Sequence, residues 1–155
     1  MRREWQVEVR SVVAAPPGEV WARVVTPEGI NDEMRPWMTM ALPRGSTVDS
    51  IDALVVGQPV GRAWLRLGGV VPFDFDDLVV VELEPGRRFR EESSMLSMRR
   101  WVHDRTVEAD GAGTVVLDQV TLAPRLPLRP IGPVLRVVVL AFFRHRHRRL
   151  ARHFH

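Results

Sequence analysis

Alternating apolar and polar residues predict that most of this chain forms β-strands. The first such stretch runs from Trp5 to Val13, and a second strand is predicted from Trp37 to Leu42. Five further stretches read RAWLRLGG, FDFDDLVVVELE, RFREESSML, RRWVHDRTVEA and TVVLDQVTLAP. Because turns such as EPGRR and ADGAGT join members of this series, we expect one curved antiparallel meander.

Helical patterns interrupt the strands at two places. Two short helices, PGEVWARVV and TPEGINDEMRPW, follow the first strand, and each has a proline near its start. One long helix is predicted from about Ile131 to Phe154, after the break RLPLRPIGP. This order predicts an α+β fold with its helices on one side of a bent sheet. Since a long helix cannot fill the whole concave face, we expect a pocket between the two.

The segment at residues 43–61, PRGSTVDSIDALVVGQPVG, is rich in Gly, Pro and Ser and predicts an irregular connection. Irregular segments of this length inside compact domains are often functional. We therefore consider it a candidate lid over one end of the fold.

The chain resembles the helix-grip superfamily of START and birch-pollen-allergen-like domains (SRPBCC), and its polyketide cyclase/dehydrase and lipid-transport branch in particular. The resemblance is carried by APPGEVWARVVTPEGIN, GVVPFDFDDLVVVELEPGRRF and MRRWVHDRTVEADGAGTVV, followed by the closing helix. It implies a curved antiparallel sheet wrapped around a long C-terminal helix. It implies little about function, because the family includes carriers, cyclases, receptors and cochaperones.

Composition narrows the class of protein. The 155 residues predict a single domain, 1–155, and the absence of cysteine excludes disulfides and thiolate chemistry. The N-terminus lacks the apolar block of a signal peptide, and VVVLAFF, the longest apolar run, is far shorter than the roughly 18 residues of a spanning helix. We expect a cytoplasmic protein with no transmembrane segment. All 22 basic residues are arginine, but the net charge is only +3, so no nucleic acid is expected as partner; a homodimer is left open.

The stretch WVHDRTV at residues 101–107 places Trp101, His103 and Arg105 on one side of a strand. Pairing across the DGAG turn sets Arg105 opposite Asp118 and His103 opposite Val120. A slip by one residue would turn Asp118 to the other side of the sheet. The first register is favoured because it brings apolar residues and opposite charges together.

Two more strands carry single acidic residues among apolar ones. In FDFDDLVVVEL, Asp77 shares a side with Phe75, and in RFREESSML, Glu91 shares a side with Phe89. Trp64 joins them from the preceding strand, although the opposite side of that strand is the more apolar one.

These polar residues have two interpretations. Arg105, Asp118 and His103, together with Asp77, form either a satisfied internal network that fixes strand register or a surface that contacts the polar end of a ligand. A proton-transfer role for His103 is a special case of the second interpretation. In both cases a buried charge needs a partner, because burying it alone costs several kcal/mol.

The predicted function is binding of a small hydrophobic molecule, such as a lipid or an aromatic or polyketide-like compound, between the sheet and the terminal helix. The residues predicted to bind it are Trp64, Phe75, Asp77, Phe89, Glu91, Trp101, His103, Arg105, Asp118, Val120, Val138 and Phe142. The alternative is a cyclase/dehydrase or aromatase-type enzyme that uses the same pocket, with His103 as acid or base. No nucleophile elbow, phosphate loop or metal motif is present, and no cofactor or metal is predicted.

The end of the chain, RHRHRRLARHFH, is strongly basic. A second alternative function is binding to a partner or a membrane surface through this stretch. Arginines at the negative end of a helix dipole also explain it without any partner. Metal binding is disfavoured, because no pair of its histidines has the i, i+4 spacing that places two imidazoles together. Phe143, His147, Leu150 and Phe154 form a stripe that we expect to pack on the sheet.

Overall fold

A computed structural model describes residues 3–155 and contains seven strands. Their bounds are β1 Trp5–Val13, β2 Met38–Ala41, β3 Pro59–Leu67, β4 Val71–Glu84, β5 Arg88–Met95, β6 Met98–Asp110 and β7 Gly113–Pro124. All neighbours pair antiparallel in one sheet of order β1-β7-β6-β5-β4-β3-β2. The predicted meander is confirmed, and β1 closes it by pairing with β7.

Three α-helices accompany the sheet: α1 Pro17–Val24, α2 Pro27–Met34 and α3 Gly132–His153. Proline opens both short helices, and the Thr26 hydroxyl caps α2 by accepting a hydrogen bond from the Gly29 amide at 3.0 Å. A 3-10 turn at Leu126–Ile131 precedes α3. The predicted α+β architecture, with two short helices after the first strand and a long terminal helix, is confirmed.

The register between β6 and β7 is the one that the DGAG turn predicts. Arg105 lies opposite Asp118, and His103 lies opposite Val120. This pairing turns Arg105, Asp118 and His103 into the interior, where each is almost completely buried.

Two groups of apolar residues fill most of the interior. In one, α1 packs on the sheet through Val20 and Val24 beside Phe89. In the other, α3 packs on the sheet through Phe143 beside Val120. The middle of α3 therefore lies directly on the strands, and the interior there is occupied by side chains.

The strand β4 departs from simple alternation. The pairing of β4 with β5 shifts between Val80 and Glu82, which marks a β-bulge. On the N-terminal side of the bulge, Asp74, Asp76 and Val80 are buried, whereas Leu83 packs inward beyond it. The prediction that Phe75 and Asp77 face inward is wrong. It assumed that the alternation runs unbroken along β4 from Phe75 to Leu83, whereas the bulge between them changes which residues face inward.

The connection between β2 and β3 folds back over one end of the sheet. A short 3-10 turn at Ile51–Ala53 is held to the helices by two contacts. The Ile51 amide donates to the Val25 carbonyl at 2.8 Å, and the Trp21 indole N–H donates to the Asp52 carboxylate at 2.9 Å. The predicted irregular segment is thus shorter than 43–61, since β3 already begins at Pro59.

The span Leu126–His153 is long and apolar enough to cross a membrane by length and composition, with a mean hydropathy of 1.6 over its most apolar window. The short apolar run VVVLAFF had predicted no such span. Length and composition do not distinguish a spanning helix from a packing helix. In this fold, α3 buries Phe143 and Leu150 against the sheet and carries Arg146 and His147 into a buried polar network.

Candidate functional site

A network of charged side chains lies at the centre of the interior. The Arg105 guanidinium donates to both oxygens of Asp118, at 2.8 and 2.6 Å, and to both oxygens of Glu33, at 2.9 and 2.8 Å. All three side chains are almost fully excluded from solvent. Since Glu33 belongs to α2 and the other two to the sheet, the network joins the helices to the strands.

Two residues of α3 extend this network. His147 Nε2 lies 2.7 Å from Asp118 Oδ2, and its Nδ1 lies 2.5 Å from the Ser11 hydroxyl on β1. Arg146 donates from Nε to Glu33 Oε1 at 3.2 Å. The terminal helix is thereby fixed in rotation as well as in position.

His103 forms the edge of the network that faces a cavity. Its Nε2 lies 2.7 Å from Asp118 Oδ1, whereas its Nδ1 lies 3.7 Å from Glu91 Oε1, which is beyond hydrogen-bond distance. Within residues 3–155, nothing hydrogen-bonds to His103 Nδ1. The Glu91 carboxyl accepts a long bond of 3.3 Å from the Ser93 hydroxyl, and the Asp76 carboxyl lies next to it.

Burial and ion pairing shift the pKa values of these groups in opposite directions. Burial disfavours the charged forms, but Arg105 and His103 outweigh it and hold the pKa of Asp118 well below its ordinary value. Arg105 and Arg146 likewise lower the pKa of Glu33 despite its burial. The neighbouring Asp118 carboxylate raises the pKa of His103, again against the effect of burial. Most of the network is therefore a set of mutually compensated ions.

Asp76 is the exception to this compensation. Its Oδ1 is buried, and no group in the described part of the chain hydrogen-bonds to it. Burial, and then the charge of Glu91, raise the pKa of Asp76 well above its ordinary value. A buried carboxyl beside a second acid is most stable in its protonated form.

The cavity lies between α2, the segment 42–54 and strands β4 to β6, and its volume is about 90 Å³. Its walls are mostly apolar. The lining residues are Val25, Pro27, Ile30, Asn31, Met34, Met40, Leu42, Val48, Ser50, Ile51, Leu54, Val60, Leu78, Val80, Phe89, Glu91, His103 and Arg146. α3 contributes only Arg146 to it, so the cavity is displaced from the place between sheet and terminal helix that the sequence predicted.

The polar residues that line the cavity differ in how many of their hydrogen-bonding groups already have partners within the protein. The Asn31 amide is used in two bonds to the Met40 backbone, at 2.7 and 3.2 Å, and Arg146 is bound to Glu33. The Ser50 hydroxyl accepts from the Asp52 amide at 3.1 Å. Glu91 and His103 are left as the pair on this wall with the most unused hydrogen-bonding capacity.

The structure brings together only part of the predicted binding set. Phe89, Glu91 and His103 line the cavity, and Arg105 and Asp118 stand directly behind His103.

Trp101, Val120 and Phe142 belong to the apolar group under α3 and do not reach the cavity. Val138 is 56% exposed, because it lies about 100° around the helix from Val139, which faces the sheet. The prediction that Val138 contacts the ligand is therefore wrong.

Trp64, Phe75 and Asp77 lie on the outer face of the sheet. Trp64 packs edge-on against Phe75, and Arg62 donates to Asp77 at 3.0 Å while stacking over the Phe75 ring. Ala63 and Leu65 occupy the inner face of β3 instead. The buried side of β3 is therefore its more apolar side. The sequence alone had left open which side of this strand faces inward.

His147 and Ser11 join the network although His147 was expected only to pack on the sheet and Ser11 was not singled out. Two further partners, Glu33 and Arg146, were also missed by sequence analysis. Both show a signal in retrospect, since Glu33 shares a helix face with Gly29 and Ile30, and Arg146 shares one with Phe143 and Leu150. A charge within an apolar helix face predicts a buried partner, but it does not say which one.

Comparison with known protein families identifies the family of this chain. A family described as a domain of unknown function, DUF8410, matches residues 11–154, and the chain belongs to it. No curated protein matches the chain.

Solved structures show the same fold. Protein CV1439 from Chromobacterium violaceum aligns with a TM-score of 0.71 at 14% identity, covering 96% of each chain. A START superfamily protein from Mycobacterium smegmatis aligns with a TM-score of 0.69 at 14% identity, again over 96% of each chain. DynU16, from the dynemicin biosynthetic locus, aligns at 0.62 and 20% identity over 95% of this chain and 46% of its own. The predicted helix-grip fold is confirmed, and at these identities the likeness concerns the fold alone.

Proposed function

We propose that the protein binds a small, mainly apolar molecule in the cavity beneath the segment 42–54, with one polar group of the molecule at Glu91 and His103. The observation that carries this proposal is an apolar cavity with an incompletely bonded acceptor and donor on one wall. Apolar walls with a few convergent polar groups are typical of small-molecule sites.

The volume of the cavity limits the ligand. A cavity of about 150 Å³ accepts benzene, so 90 Å³ holds less than one aromatic ring while the segment 42–54 keeps its position. A single-ring compound requires a small outward movement of this segment, and a lipid or polyketide requires a large one. We therefore propose a ligand of about one ring or a short aliphatic chain.

The polar wall favours a hydroxyl group on the ligand. The Glu91 carboxyl can accept a hydrogen bond and the His103 imidazole, whose pKa is raised beside Asp118, can donate one. One hydroxyl can satisfy both, because it is donor and acceptor at once. Phenol should consequently bind roughly tenfold more tightly than toluene, the difference expected from about 1.4 kcal/mol of hydrogen bonding.

The experiment is a titration of the protein with phenol and with toluene, followed by amide chemical shifts. Val48→Trp fills the cavity from the segment, and Val56→Trp is its matched control, since Val56 is exposed and does not line the cavity. The proposal predicts that only Val48→Trp abolishes binding and that Glu91→Leu, which has no acceptor, removes the preference for phenol. Equal binding by both tryptophan variants would place the ligand elsewhere and overturn it.

An enzyme that transfers a proton is a second candidate, favoured by the position of His103 at the cavity wall between Asp118 and Glu91. Its raised pKa suits it to act as a general acid. His103→Gln should then abolish turnover of a bound compound while uptake of phenol persists. The cytoplasmic location expected from the sequence is part of this proposal in either case.

A further inference from the structure

Exposed apolar side chains are concentrated at one end of the molecule. The end is formed by the β3–β4 hairpin, the β5–β6 turn and the connection from β7 to α3. Its exposed members are Leu67, Val70, Val71, Phe73, Leu96, Leu126, Ile131, Val134, Val137 and Val138. We call this set the apolar end.

The three connections are neighbours in space. The Leu96 amide donates to Asp74 near the start of β4, at 2.8 Å, so the β5–β6 turn touches the β3–β4 hairpin. The Arg125 amide donates to the Ser97 carbonyl at 3.0 Å, which joins the β7–α3 connection to the same turn. The apolar end is therefore one surface that runs onto the first turns of α3.

The degree of exposure is high for side chains of this kind. Val70 is 76% exposed and Leu126 is 69% exposed, so no part of residues 3–155 covers them. Five other large apolar residues of the described chain are exposed, namely Val12, Trp37, Val55, Val56 and Trp64. Of these, Trp37 adjoins the apolar end, because its carbonyl accepts from the Gly68 amide of the hairpin at 2.8 Å. A contiguous exposed apolar surface marks an interaction site more often than scattered single residues do.

The exposed charges around the apolar end are mainly positive. The acids nearest to it are the buried Asp74, which accepts from the Leu96 amide, and Glu4 and Glu92, which pair with Arg100. The segments 64–73, 96–100 and 125–138 contain no Asp or Glu. Their charged residues are Arg66, Arg99, Arg100, Arg125, Arg129 and Arg136. Apolar side chains surrounded by cations complement a surface with anionic headgroups over an apolar interior.

We propose that the apolar end docks the protein on an anionic lipid surface. A second copy of the chain complements the apolar end less well than a lipid surface does, because a twofold interface would place the same arginines opposite each other. The helix α3 lies on such a surface rather than across it, since its second half is held in the fold by Phe143, Arg146 and His147. This proposal is independent of the ligand in the cavity and uses the end opposite to the basic C-terminus.

Vesicle flotation tests it, with vesicles of phosphatidylcholine alone and of an equimolar mixture with phosphatidylglycerol. The variant Val70→Glu/Leu126→Glu places two charges on the apolar end, and Val55→Glu/Val56→Glu adds the same charge elsewhere. We expect binding to the mixed vesicles only, weakened at least about tenfold by the first pair and unchanged by the second. All four positions are exposed, so thermal melts should show both variants folded.

Four results would overturn the proposal. One is failure of the unaltered protein to float with the mixed vesicles. Another is equal loss in both double variants, which would indicate an effect of net charge alone. The third is a dimer in light scattering that Val70→Glu/Leu126→Glu dissociates while vesicle binding is absent, because the occupant would then be a second copy. Loss of flotation on replacing Arg148 and Arg152 by glutamine, with the first double variant still bound, would likewise move docking to the basic C-terminus.

Discussion

Replacing Arg105 by methionine removes the guanidinium that joins Glu33 to Asp118 while keeping an unbranched side chain in its place. In the native protein this group makes four hydrogen bonds of 2.6–2.9 Å and is completely buried. The substitution leaves two buried carboxylates facing each other without their shared cation. Breaking a buried ion pair from one side lowers the free energy of unfolding by about 3–5 kcal/mol.

That loss is a large fraction of the roughly 5–15 kcal/mol that stabilises a typical domain. Urea denaturation measures it, and Arg87→Met is the matched control. Arg87 pairs with Glu108 at 3.3 Å, but both side chains are more than half exposed, so its loss should change stability by less than about 1 kcal/mol. A loss of under about 1 kcal/mol for Arg105→Met as well would refute the view that the network holds the helices to the sheet.

The pH dependence gives a second readout of the same substitution. The native pKa values of Asp118 and Glu33 are lowered, so their stabilisation is present at neutral pH and is lost as the pH falls through those values, below about 4. Without Arg105, burial and the repulsion between the two carboxylates should raise both pKa values, and only Arg146 beside Glu33 and His103 beside Asp118 would still oppose the rise. The difference in free energy of unfolding between the native protein and Arg105→Met should therefore shrink as the pH falls from 7 towards 4. A purely steric defect would leave this difference constant.

Two further predictions concern Asp76 and the segment 42–54. Asp76→Asn should raise the free energy of unfolding at neutral pH, because the amide is neutral in both the folded and the unfolded state, whereas the native carboxyl must take up a proton when the chain folds. Because the native pKa of Asp76 is raised, the free energy of unfolding of the native protein should fall as the pH rises above about 4. Urea titrations at several pH values should show that Asp76→Asn loses this pH dependence. An unchanged pH dependence in the variant would contradict the assignment. Asp52→Ala removes the bond from the Trp21 indole and should speed hydrogen exchange at the Ile51 amide roughly tenfold, with the Val120 amide as unaffected reference. Equal acceleration at both amides would indicate global destabilisation instead of release of the segment.

Local signals were sufficient for most of the fold. The DGAG turn alone fixes the register of β6 against β7, and prolines at Pro17 and Pro27 mark the starts of the short helices. The facing of β4 could not be predicted, because nothing in the run VVV shows where the β-bulge at Val80 lies. A bulge changes which residues face inward without changing the alternation that precedes it.

The candidate site depends on contacts far apart in sequence. His103, Arg105 and Asp118 come from one hairpin and were predicted together, whereas Glu33 reaches Arg105 from 72 residues away. The position of the cavity depends on how the segment 42–54 folds back onto Val25, which is a tertiary contact without a local signal. Predicting a cavity between sheet and α3 therefore failed where Phe143 fills that space.

A crystal of the protein exposed to phenol tests the central claim most directly. The account predicts density for one ring between α2, the segment 42–54 and strand β5, with its hydroxyl within hydrogen-bond distance of Glu91 and His103 and with Val48 displaced outward. An interior that stays empty at saturating phenol, or a ring bound only elsewhere on the protein, would contradict it.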